Sequence, residues 1–214
     1  MHESTSKLLN PEKKSVETIR KIIEHYLTLK FPGDWQQKIR SIAVAGGDIF
    51  EHGSNVSAYA ALFSLALKVG DQKALATAGI LHDLGLAYLP QKLQNSPTAK
   101  MSMDDFKLYK THPELSLKLL QERGLEISDV CRDAILYHHV RWDGGGYPKD
   151  VQGRRPSVEI QILALANRFD ELTCVKESSS PSLRQTLDQI ELENIAEPEL
   201  VKKLREIIFK AEGL

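Results

Sequence analysis

Apolar residues recur three and four positions apart along nearly the whole chain, and no stretch alternates as a half-buried strand would. Val16, Ile19, Ile22, Ile23, Tyr26 and Leu27 make one stripe. Val56, Ala60, Phe63 and Leu67 make another, and Ile160, Leu163, Ala166 and Phe169 a third. Such spacing stacks side chains on one face of an α-helix, so the expected fold class is all-α. Punctuation supports it. The run from Phe31 to Asp34, then Gly46-Gly47, then Gly70-Asp71 interrupt the stripes. Ser102 with Asp105, and Thr111 with Glu114, have the spacing of helix-opening caps. Ser128 and Ser157 stand where N-caps are needed, Gly124 where a helix stops, and Pro198 where the last helix begins. Pro90 to Lys100 reads as a loop and Lys176 to Pro181 as a polar linker.

Composition limits the function classes. With 28 basic and 29 acidic residues, the chain has no broad basic field to hold a nucleic-acid backbone. The most apolar run, Val56 to Leu67, is too short to span a bilayer and carries two serines. The start of the chain is polar, without the apolar stretch of a signal peptide. Cys131 and Cys174 form no CxxC pair and read as reduced thiols. The expectation is a cytoplasmic protein with neither nucleic acid nor membrane as partner.

Five of the seven histidines form an ordered series: His52, His82, His112, His138 and His139. Asp48 precedes His52 by four residues, so both share a helix face, and Asp83 follows His82. Imidazole mixed with carboxylate suits iron, manganese, zinc or nickel. Each member has a plainer reading. A histidine in mid-helix is more often a hydrogen-bonding residue, and Asp48 with His52 can be a surface pair. Two adjacent histidines on a helix point about 100° apart, so one of them is free to face solvent. Taken together, the plain readings require four separate coincidences.

The order of these motifs resembles the HD-GYP family. The likeness runs through His82-Asp83-Leu84-Gly85, Thr111-His112-Pro113, His138-His139 and the loop from Asp143 through Gly144, Gly145, Gly146 and Tyr147 to Pro148. It covers roughly Asp48 to Thr173. It implies an HD-domain helical bundle with an N-terminal helical extension, divided as a segment over 1–47 and a metal-binding domain over 48–214. The extension, too short for a sensor domain, would pack on the core or mediate dimerisation. The family binds two or three divalent metals, iron or manganese here. By resemblance their ligands are Asp48, His52, His82, Asp83, His112, His138, His139 and, at a position the family fills with aspartate, Asn167. Asp83 would bridge two metals, and His82 with Asp83 would form the catalytic core. The implied activity is hydrolysis of cyclic di-GMP by a metal-bridging hydroxide. Arg141, Asp143, Gly144, Gly146, Tyr147 and Pro148 would contact the nucleotide. The plainer alternatives are an exposed arginine, glycines that permit a turn and a packed aromatic.

The chain departs from the family pattern in places. The lysine of HDxGK is Leu86, which offers neither charge nor hydrogen bond. Val140 replaces a glutamate, Ser116 a glycine and Asn167 an aspartate, and no arginine-proline-tyrosine segment occurs between Val175 and Ser182. The metal set is nearly whole and the substrate-holding set is poorer. Alternative readings are therefore a catalytically weak module that binds a nucleotide or a signalling protein through the 143–148 loop, or another HD-type phosphohydrolase.

Overall fold

The computed structural model describes residues 33–94, 96–149, 155–174 and 181–212, with side chains from Ile49 onward. Helices follow one another as α1 (Gly33–Leu67), α2 (Gln72–Leu81), α3 (Gln91–Gln94), α4 (Met103–Tyr109), α5 (His112–Glu122), α6 (Asp129–Tyr137), α7 (Val158–Thr173), α8 (Leu183–Leu192) and α9 (Pro198–Glu212). Two 3-10 turns, Leu84–Tyr88 and Thr98–Lys100, flank α3. There is no strand among the described residues; one isolated antiparallel bridge joins Val140 to Gly146. The architecture is all-α. The first apolar stripe, the 176–180 part of the polar linker and Gly213 lie outside the described residues.

Side-chain caps start most of these helices. Asp71 accepts the amides of Lys73 and Ala74, both at 3.0 Å, to open α2. Ser102, Ser128 and Ser157 each accept the amide three residues on. Ser182 and Gln185 cap reciprocally at α8. Each such cap contributes about 1 kcal/mol. Thr111 behaves otherwise: its hydroxyl donates back to the Leu108 carbonyl at 2.7 Å, and α5 starts without a side-chain cap. Gly46-Gly47 does not loosen the chain either. α1 runs through it and across residue 48 unbroken for 35 residues, because two glycines cost a helix of that length only about 1 kcal/mol each. The expected loop at 90–100 contains α3 and a 3-10 turn.

The core sits where α1, α2 and α7 meet, with α6, α8 and α9 closing around it. Val56, Phe63 and Leu67 of α1 pack with Leu75 and Leu81 of α2, Ile135 of α6 and Leu163 and Phe169 of α7. Tyr59 and Phe63 both meet the Phe169 ring edge-on, at centroid distances of 4.9 and 5.6 Å, a favoured aromatic geometry. No described helix is long and apolar enough to cross a membrane.

A second, smaller apolar cluster joins Ile49, Leu86, Leu89 and Leu93, with Met101, Tyr109 and Leu115 against it. Leu86 is 5% exposed there. The position that resembles the family's substrate lysine is thus spent on packing. Leu86→Lys is expected to destabilise the fold by about 2 kcal/mol, the burial lost when a lysine stem turns its ammonium out to water. A thermal melt measures this, and an unchanged midpoint would place residue 86 outside the core.

Candidate metal centre

Four helix ends and two mid-helix turns aim at one buried volume. His52 comes from α1. His82 is the C-cap of α2, and Asp83 opens the following 3-10 turn. His112 is the first residue of α5. His138 is the C-cap of α6, with His139 next in the chain. Asn167 and Asp170 project from α7. Asp48 is in α1, but its side chain lies outside the described residues.

The ligand atoms fall into two triads, His112-His138-His139 and His52-His82-Asp83, with the atoms of each within 4.8 Å of one another. The Nε2 of His112 stands 3.3 Å from that of His138 and 3.3 Å from that of His139. Asp83 lies between the triads. Its Oδ1 is 3.1 Å from His112 Nε2, 3.5 Å from His82 Nε2 and 3.6 Å from His138 Nε2, while its Oδ2 is 3.6 Å from His52 Nε2. The adjacent histidines do not diverge as they would in mid-helix. α6 ends at Tyr137, and both rings, 4.0 Å apart, turn into the cluster.

Local backbone fixes which nitrogen faces inward. The Nδ1 of His82 donates to the Gly79 carbonyl at 2.9 Å, that of His112 to Tyr109 at 2.8 Å, and that of His138 to Ile135 at 2.7 Å. A carbonyl can only accept, so Nδ1 carries the proton and Nε2 presents a lone pair to the cluster. Burial, above all, pushes the pKa of His82, His138 and His139 below the histidine range, which keeps these rings neutral. The Asp83 Oδ1 is buried with no hydrogen-bond partner. The Asp83 carboxylate oxygen and the inward lone pairs of His82, His112 and His138 fit divalent cations by donor chemistry.

The α7 side is arranged differently. Asp170 Oδ2 accepts from His52 Nδ1 at 2.7 Å, and its Oδ1 accepts from the Cys174 thiol at 3.0 Å. Asp170 therefore orients His52 and does not itself enter the cluster. Burial works against a proton on both nitrogens of His52, but the Asp170 hydrogen bond with the Asp83 and Asp170 charges raises its pKa to about 9. A cation at Nε2 would replace that second proton. Asn167 Oδ1 is the inward atom of its amide, 2.8 Å from His52 Nε2 and 3.2 Å from His82 Nε2.

The glycine-rich loop covers the three-histidine side. Asp143 accepts from the Gly145 amide at 2.8 Å and from Arg141 at 3.1 and 2.7 Å, so the exposed Arg141 is folded against its own loop. Gly144, with a φ of 82°, carries the exposed tip of the loop. Gly146 has a φ of 81°, and a Cβ there would overlap the His139 carbonyl, so this position needs glycine. The bend brings Tyr147, followed by Pro148, over the cluster: its ring stacks on His139 at 4.4 Å and its buried hydroxyl has no hydrogen-bond partner. Ser116 also acts here, a role its sequence position did not signal. Its buried hydroxyl accepts from the Gly85 amide at 2.7 Å and donates to the His82 carbonyl at 2.6 Å, tying the His82-Asp83 turn to α5.

Comparison with known proteins matches residues 28–195 to the family described as HD domain. The 3'3'-cGAMP-specific phosphodiesterase 2 of Vibrio cholerae serotype O1 is 29% identical over 151 residues, which is 68% of this chain and 28% of that protein. A cyclic di-GMP phosphodiesterase of Thermotoga maritima is 28% identical over 115 residues, 53% of this chain and 31% of that protein. The chain thus spans less than a third of the length of these two relatives. Among solved structures, Bd1817, an HDG"Y"P protein from Bdellovibrio bacteriovorus, superposes with a TM-score of 0.62 at 19% identity, covering 95% of this chain and 67% of that one.

Proposed function

This chain belongs to the HD-domain family, in its HD-GYP branch, and we propose that it is a metal-dependent phosphodiesterase of cyclic dinucleotides, with cyclic di-GMP as substrate. One observation carries the reading: the Asp83 Oδ1, buried without a hydrogen-bond partner beside the inward nitrogens of His82, His112 and His138. A buried carboxylate oxygen left without a donor is costly unless a cation completes its shell. The names of the two relatives, a 3'3'-cGAMP-specific phosphodiesterase and a cyclic di-GMP phosphodiesterase, support the substrate class.

In this reading His52, His82, Asp83 and Asn167 would hold one cation and His112, His138 and His139 another with Asp83 shared, and Asp48 is the remaining ligand that the resemblance implies. Two or three divalent ions, iron or manganese, would acidify water for attack and neutralise charge on the phosphate. The protein's own part is to hold them apart at fixed spacing and to keep His82, His138 and His139 unprotonated. Tyr147 offers its free hydroxyl as a donor to a phosphate or ribose oxygen. Arg141, Asp143, Gly144, Gly146 and Pro148 shape the wall beside it, the loop on which a signalling partner would also dock. The cytoplasm is the place we assign to this activity, and a homodimer its form.

The test uses protein purified anaerobically. Metal content is measured first, followed by turnover of cyclic di-GMP, 3'3'-cGAMP and cyclic di-AMP before and after chelation. The expected result is co-purified iron or manganese and hydrolysis that chelator abolishes and metal restores. Metal-loaded protein that hydrolyses none of the three would refute the enzyme. A binding module is the second reading, favoured by the neutral Asn167 and the buried Leu86. Tight nucleotide binding without turnover would establish it.

A further inference from the structure

One carboxylate stands outside the cluster and is joined to it through an amide. Glu171 follows Asn167 by four residues on α7, one turn along the same face. Its Oε1 accepts from Asn167 Nδ2 at 3.1 Å, and its Oε2 accepts from Arg168 Nη1 at 2.8 Å. An asparagine amide can present either end to a site. With Nδ2 held by Glu171, Oδ1 is the end turned toward His52 and His82, at 2.8 and 3.2 Å. Arg168 does not neutralise Glu171 on its own terms, because its remaining donors go to both oxygens of Glu193, each at 2.7 Å.

We propose that Glu171 is a positioning residue for the cation on the α7 side, acting through Asn167, so that the Asn167-Glu171 pair does the work of one ligating carboxylate. The proposal rests on the metal-centre reading given under Proposed function. The amide oxygen meets the ion, and the glutamate aims that oxygen, polarises it and brings the negative charge within one amide of the cation. This accounts for a neutral residue at the one position on α7 that faces both His52 and His82.

The experiment measures manganous-ion binding to the full chain, by free-ion electron paramagnetic resonance at limiting metal. It compares wild type with Glu171→Gln, Glu171→Ala, Asn167→Asp, the Glu171→Gln/Asn167→Asp double variant and His82→Ala. Glu171 is exposed, so its substitutions leave the core untouched. Glu171→Ala is expected to weaken the affected site by about 10-fold or more, the usual cost of losing a ligand's supporting partner. Glu171→Gln keeps an acceptor for Nδ2 but not the charge, and loses less. Asn167→Asp restores binding in the Glu171→Gln background and gains less in wild type, where two carboxylates one turn apart repel. Wild-type binding by both Glu171 variants, with His82→Ala impaired, overturns the role of Glu171. Wild-type binding by His82→Ala overturns the metal centre itself, and the proposal with it.

Discussion

Asp83→Ala is expected to strip the protein of its cations and to reduce phosphodiesterase turnover by about 10²- to 10³-fold, the scale seen when a charge-stabilising group is lost from a reacting centre. Asp83 lies within 3.6 Å of members of both triads, with Oδ1 toward His82, His112 and His138 and Oδ2 toward His52. In the proposed two-cation centre its loss would leave the cations facing each other across low-dielectric protein with no shared anion. The metal-free fold should survive the change, because a buried carboxylate without hydrogen bonds at Oδ1 contributes little to stability by itself. Elemental analysis, turnover and a melt of the chelated protein, measured together, separate the two effects. Full turnover in a folded Asp83→Ala variant is incompatible with metal-assisted hydrolysis at this centre.

Gly85→Ala is expected to be nearly as damaging by a different route. A methyl at residue 85 would overlap the His112 carbonyl oxygen and stand 2.5 Å from the Ser116 amide nitrogen and 2.9 Å from Leu115 Cβ. These are largely backbone atoms of the first turns of α5, which cannot retreat without carrying His112 away from Asp83. The Ser116 hydroxyl, bonded to both the Gly85 amide and the His82 carbonyl, would lose that fit too. We expect about 3 kcal/mol of destabilisation from overpacking, a fall of about 6–12 °C in Tm for a chain of this size, together with reduced metal content. A melt within a degree of wild type would mean that α5 can slide against the His82-Asp83 turn.

The helical fold could be read in the sequence because its signals are local. Apolar spacing and caps such as Ser102, Ser128 and Ser157 depend on neighbours within a turn or two. The ordered histidines were legible as a set, and the structure gathers His52, His82, Asp83, His112, His138, His139 and Asn167 into one volume. What the sequence withheld was long-range or conformational. Nothing near His138 marks the end of α6, so the His138-His139 pair looks divergent until the helix is seen to stop at Tyr137. Ser116 reads as a lost glycine, and its bonds reach 31 and 34 residues back along the chain. Leu86 reads as a lost lysine until its neighbours Ile49, Leu89 and Leu93 are known. Asp170 and Asn167 sit on adjacent turns with similar chemistry, and only packing against His52 decides which of them orients the ring and which faces the cluster.

The three imidazoles tied to the carbonyl three residues before them have a consequence for folding itself. His82 and His138 are oriented by the ends of their own helices and His112 by the end of α4, so completing the helices drives like dipoles together whether or not an ion is at hand. The native state is therefore electrostatically frustrated at its centre, and a divalent cation is the species that relieves it. Ion concentration then becomes a variable of conformational stability: free metal at a hundred times Kd would add about 2.7 kcal/mol per site. A chain made in a metal-starved cell would carry the same helices over a shallower free-energy basin, and its lifetime against proteases would follow the supply of metal.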